Sequence, residues 1–239
     1  MTDIDTTRAV LAAGAVILGS GAAIGRGRLA LAMLAAALFT VLAFLAVEIN
    51  SGWMTSLDDS AWNWFYRHRF HRLRVDSQGL FSYIGQPVPF TTAGVLSGTL
   101  LALQARSAMR AVVVIGGVGV GVAAEETLKA VVSRTPSTLA TLHDGSLLEY
   151  THSFPSGHVT ACGTLLGMIA VCLGIGRSRV AQAALAVPAV TGVLFVAVLA
   201  LHSRAHIFTD VLGGMVLAAA IVAAGASALG PPKPGRVRA

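Results

Sequence analysis

The chain has 239 residues, of which 55% are hydrophobic and only 12% charged, with a formal net charge of +6. A soluble domain carries about 25% charged residues, so roughly half the usual solvating surface is missing, and disorder, which needs few apolar residues, is excluded. The composition is that of a polytopic helical membrane protein and not of an ordinary soluble enzyme.

A run that crosses ~30 Å of hydrocarbon needs roughly 17–25 apolar residues. The first apolar run, 9–25, is short and rich in Gly and Ala, and the segment before it carries Asp3 and Asp5. That is not the basic start of a signal peptide; the run reads as an extra span or as a membrane-dipping helix. Six core spans follow at 29–48, 88–105, 111–132, 158–176, 181–201 and 211–229. The expected fold is all-α: a membrane helical bundle of six core transmembrane helices, with or without an extra N-terminal hydrophobic helix. Residues 1–239 read as a single integral membrane domain, with its core at about 29–230, an N-terminal extension at 1–28 and a cytoplasmic tail at 231–239.

The basic residues orient the bundle. Arg26 and Arg28 precede the first core span, Arg106 and Arg110 lie between the second and third, Arg177 and Arg179 between the fourth and fifth, and Lys233, Arg236 and Arg238 in the tail. All fall on one side, which the positive-inside rule makes cytoplasmic. The segments around 50–87, 133–157 and 202–210 are then extracytoplasmic, and the pI of about 10.1 reflects topology instead of a nucleic-acid partner. Segment 56–74 interleaves Trp62, Trp64, Phe65, Tyr66 and Phe70 with Arg67, His68, Arg69, His71, Arg72 and Arg74. It reads as an interfacial aromatic belt whose arginines reach headgroup phosphates.

Inside the spans, Gly94/Gly98, Gly117/Gly121 and Gly163/Gly167 recur at helical spacing. They mark close helix packing, or simply the glycine content usual in such helices. Gly116–Gly121 follows no strand and is no nucleotide loop. Cys162 and Cys172 lie ten residues apart on one run, roughly 15 Å along a helix and out of disulfide reach.

Three polar clusters stand at extracytoplasmic span ends. The first holds Glu125, Glu126, Lys129 and Arg134, with Glu125 and Lys129 four apart and able to pair on one helix face. Intramembrane ions of this kind serve a purpose or snorkel to the interface. The second is Phe154-Pro155-Ser156-Gly157-His158. Ser156 is there either a helix N-cap or part of an anion site made by amides at a helix start, with His158 at its edge able to donate a proton. The third runs from His202 to Gly214, with His206 and Asp210 four apart. A carboxylate there holds one ring nitrogen of His206 protonated and presents the other as a nucleophile. Cations, an anion-binding turn and two histidines on one membrane face suit phosphoryl transfer by a histidine, with side-chain cations in the place of Mg²⁺.

The order of these clusters resembles the type-2 phosphatidic acid phosphatase superfamily of integral membrane lipid phosphatases, whose motifs read Lys-x6-Arg-Pro, Pro-Ser-Gly-His and Ser-Arg-x5-His-x3-Asp. Pro155-Ser156-Gly157-His158 matches the second motif, His206-x3-Asp210 the end of the third, and Lys129 the start of the first. The chain departs from the pattern at two arginines. Pro136 stands where the first motif has its arginine, with Arg134 two residues earlier, and Ala200 stands six residues before His206, with Ser203-Arg204 closer to it.

The resemblance implies metal-independent dephosphorylation, without a cofactor, of a membrane lipid phosphate or diphosphate. In that reading His206 attacks phosphorus with Asp210 behind it, and His158 protonates the leaving oxygen. Lys129, Arg134, Arg204 and the amides near Ser156 and Gly157 bind the phosphoryl oxygens. It further implies a multi-pass protein of the cell membrane with its site facing outward, acting on polyprenyl diphosphates or glycerolipid phosphates. A phosphotransferase of the same fold and a catalytically silent lipid-binding or transport protein are the alternatives, and homo-oligomerisation is left open. Segment 135–153, with His143, Asp144, Glu149 and His152, reads as a solvated connection or a lid.

Overall fold

The computed structural model describes residues 3–68, 78–83, 87–135, 138 and 150–230. The long helices are α1 (Asp3–Ile24), α2 (Gly27–Glu48), α3 (Gly52–Arg67), α4 (Pro87–Ala105), α5 (Ala108–Val131), α6 (Gly157–Gly174), α7 (Arg179–His202) and α8 (Phe208–Leu229). A short helical stretch lies at 78–83. Among the described residues seven helices, all but α3, are long and apolar enough to cross a membrane. Every core span predicted from the sequence is found within three residues at each end. In hydrocarbon each backbone N–H and C=O must be bonded within the segment, so uninterrupted Ala, Val and Leu runs have only the helix open to them.

The 9–25 run extends to a full 22-residue helix, because the preceding Asp3 and Asp5 supply acidic groups to its first turn. It folds back antiparallel on α2 through Gly27, at φ +64°. No residue of α1 is buried, yet Arg8 forms an ion pair with the buried carboxylate of Glu48, which also accepts the Trp53 Nε1–H at 2.6 Å.

Helix α8 is the hub, packing on α2, α5 and α6 and, at one end, on α3. Leu42 and Leu45 of α2, Val114 and Val118 of α5, Leu165 and Met168 of α6, and Leu217 and Ile221 of α8 share one buried cluster. The small residues are packing faces. A Cβ at Gly163 would collide with the Ala218 methyl, one at Gly167 with Val222, and one at Gly117 with Met168. Both cysteines are buried free thiols.

The two ends of the bundle differ. At one, Arg28 donates from Nε to the Ser227 carbonyl at 2.8 Å and from Nη2 to that of Ala228 at 3.1 Å, tying α2 to the last turn of α8. At the other stand the His158 and His206 rings, at the first residues of α6 and just ahead of α8. Helix α3 lies at this second end and differs from the expected belt. Trp64 and Tyr66 are exposed, but Trp62 is buried in a small cluster with Tyr150 and Ile207. Phe70, Arg69, His71, Arg72 and Arg74 fall outside the described residues, as do Pro136, His143, Asp144, Glu149 and the 231–239 tail.

Candidate active site

The site forms where the start of α6, the turn before α8, the end of α5 and one face of α3 meet. A tight approach of α8 to α6 makes this geometry: a Cβ at Gly214 would come within 2.7 Å of the Ser156 carbonyl, so a larger residue would drive the two helix starts apart. The Ser156 N–H donates to the Asp210 carbonyl at 2.9 Å, joining the second and third clusters directly.

His158 and His206 face each other with ring centroids 6.4 Å apart and planes at 68°. His206 Nδ1 lies 3.3 Å from Asp210 Oδ2, which also accepts the Ile207 N–H at 3.3 Å. His206 itself precedes the helix, and the two meet because a carboxylate in the first turn of α8 reaches back over its cap. The Asp210 carboxylate is fully buried, and its second oxygen pairs with Arg134 Nη2 at 2.7 Å.

Arg134 was expected to face phosphate. It is an interior strut instead, 2% exposed, ion-paired with Asp210 and donating to Thr209 Oγ1 at 2.7 Å and to Ser153 Oγ at 3.1 Å. A guanidinium carries its donors in a fixed planar fork, and here both Nη groups are directed at protein acceptors. Arg204, also expected at phosphate, lies with its guanidinium 4.9 Å from the Trp62 ring centroid and 5.2 Å from that of Tyr66. Its backbone is left-handed, at φ +58°.

Lys129 pairs with Glu125 as the spacing predicted. The Glu125 carboxylate rests against Gly157, so closely that a Cβ there would collide with it. An internal carboxylate therefore sits at the positive end of the α6 dipole. Ser156 makes no capping bond; its hydroxyl is fully buried and has no hydrogen-bond partner among the described residues. Of the 135–153 segment, His152 Nδ1 lies 2.9 Å from the Lys129 carbonyl.

Three contributors were not read from the sequence. Phe81 stacks on His158 at 4.0 Å between centroids and meets His206 edge-on at 6.2 Å. Thr209, inside the third cluster, bridges Arg134 to the carboxylate of Asp58. Asp58 is 2% exposed. Burial pushes its carboxyl up to about 6, against the opposing pull of Arg134 and the hydrogen bonds from Thr209. Asp58 belongs to the segment read as an aromatic belt, and nothing in its spacing marks it.

Residues 108–230, just over half the chain and all three clusters, match the PAP2 superfamily, the type-2 phosphatidic acid phosphatases. The chain belongs to this superfamily. Membership makes it a membrane lipid phosphatase, and with its apolar helices a multi-pass membrane protein. The fold also superposes on the crystal structure of the first transmembrane PAP2 type phosphatidylglycerolphosphate phosphatase from Bacillus subtilis. The TM-score is 0.66 at 19% identity, over 85% of this chain and 98% of that one. No match was found among curated proteins.

Proposed function

We propose that this PAP2 protein hydrolyses a membrane lipid phosphate or diphosphate through a phosphohistidine on His206, without a metal, at the outer face of the cell membrane. The observation that carries the reading is the pair of imidazoles 6.4 Å apart, with a buried carboxylate behind His206. Asp210 on Nδ1 fixes the tautomer that leaves His206 Nε2 as the free lone pair. That nitrogen attacks phosphorus, and the phosphorus–oxygen bond to the lipid breaks. His158 supplies the proton to the departing oxygen. Water, giving its proton back to His158, then attacks the phosphohistidine and releases inorganic phosphate and free His206.

Lys129, released from Glu125, and the amides at the start of α6 supply positive potential to the phosphoryl oxygens. The basic end of the bundle, marked by Arg28, lies opposite the histidines, which supports an outward-facing site by the positive-inside rule. Such a site suits polyprenyl diphosphates or glycerolipid phosphates.

The test is phosphate release from a lipid panel in detergent by the wild type and His206→Ala. Full activity in EDTA, inhibition by vanadate, an acid-labile phosphoenzyme and loss of all release in His206→Ala are expected. Strict Mg²⁺ dependence, or release that survives His206→Ala, would overturn the reading.

A further inference from the structure

Asp58 lies on α3, outside the three sequence clusters that carry the proposed chemistry. Its carboxylate accepts the Thr209 N–H at 2.8 Å through one oxygen and the Thr209 hydroxyl at 2.8 Å through the other. Because that hydroxyl spends its only proton on Asp58, it turns a lone pair to Arg134, which donates to it at 2.7 Å. The same Nη2 reaches Asp210 at 2.7 Å, and Asp210 reaches His206 at 3.3 Å. We propose that Asp58 is a positioning residue for the reaction: through Thr209 and Arg134 it sets the carboxylate that orients the His206 ring. The proposal rests on the reading of His206 as the nucleophile.

A purely structural tie between α3 and α8 needs only an acceptor for the Thr209 N–H. It would not require a second buried carboxylate beside Arg134, which costs desolvation that an amide avoids. The charge matters because it dictates the direction of each bond in the chain. An amide nitrogen facing Thr209 Oγ1 would donate to it, so that two donors, this nitrogen and Arg134 Nη2, would compete for one hydroxyl oxygen. Arg134 would then swing and carry Asp210 with it. Among the described residues, the charged and titratable groups around Asp58 are Arg134 and Asp210, together with Tyr66, His202, Arg204 and His206, which line the same small cavity.

The experiment uses the full-length protein in detergent with a lipid phosphate as substrate, comparing wild type, Asp58→Asn, Thr209→Val, Thr209→Ser and the Asp58→Asn/Thr209→Val double variant. Asp58→Asn should lower kcat about ten- to a hundredfold, the loss typical of removing a histidine's outer partner, with KM within about twofold, and should move the acid limb of the pH profile. Thr209→Val should do the same, Thr209→Ser should retain activity, and the double variant should lose no more than either single one, since all act through one chain of bonds. Asp58→Asn or Thr209→Val with unchanged kcat and pH profile, whatever the melting temperature, would overturn the proposal, as would additive losses in the double variant. If Asp58→Asn does not fold, the contrast between Thr209→Val and Thr209→Ser decides alone. His206→Ala is run alongside: release surviving that change sinks the nucleophile reading itself, independently of the Asp58 result.

Discussion

Arg134 and Asp210 form an ion pair of 2.7 Å between two side chains that are each at most 1% exposed. Buried pairs contribute little net stability when intact, because desolvation offsets the Coulomb gain. Breaking one leaves an uncompensated charge and costs about 3–5 kcal/mol. Arg134→Met should therefore lower the melting temperature sharply and abolish turnover. Arg134→Lys keeps the charge but not the fork, and should fold with reduced kcat and nearly normal KM. Were Arg134 a phosphate ligand, KM would rise most; kinetics on a soluble short-chain lipid phosphate separate the two.

Gly157 has the Glu125 carboxylate pressed against it. Gly157→Ala should cost about 1–3 kcal/mol, the usual cost of overpacking. Removing the obstructing group with Glu125→Ala in the same protein should regain part of that loss. Thermal melts of the two single variants and the double variant read this coupling; strict additivity would refute the contact.

Asp58 carries a pH signature of its own. Its folded carboxyl is raised to about 6, whereas an unfolded aspartate titrates near ~3.9. Between those values the folded chain binds a proton that the unfolded chain releases, so this group's contribution to stability rises as pH falls from about 6 toward 4. Asp58→Asn removes it. The stability difference between wild type and Asp58→Asn, followed by melting from pH 7 to 4.5, should shift in favour of the wild type as the solution is acidified.

Phe81 wedges against both imidazoles. Phe81→Leu keeps most of the volume but loses the stack, worth about 0.5–1.5 kcal/mol in aromatic pairs. The expected result is a lower kcat from a looser His158 ring, with KM little changed, measured by steady-state phosphate release.

The spans were legible because hydrocarbon imposes a simple rule of length and apolarity, which 211–229 and 29–48 obey without interruption. Glu125 and Lys129 announced their pairing by spacing alone. The places of Arg134 and Arg204 could not be read from spacing, for a shared reason. A basic residue near a phosphate site reads the same whether it faces substrate or supports it, and only the third dimension shows Arg134 under Asp210 and Arg204 on the faces of Trp62 and Tyr66. Asp58 was invisible because its partner Thr209 lies 151 residues away. The extension of the 9–25 run to Asp3 was hidden by the acidic residues themselves, which end an apolar run but favour a helix start.

Arg28 grips the last carbonyls of α8, while Asp210 stands in the first turn of that helix. A rod clamped at its far tip has a fixed phase, since every residue added or removed between the two points turns the near tip by about 100° and slides it about 1.5 Å. Length variation in α8 is thus forbidden to this protein in a way that composition is not. Adaptation to thicker or thinner bilayers has to come from tilt or from the other spans, because a single-residue insertion in α8 would swing Asp210 away from Arg134 without touching any residue of the site.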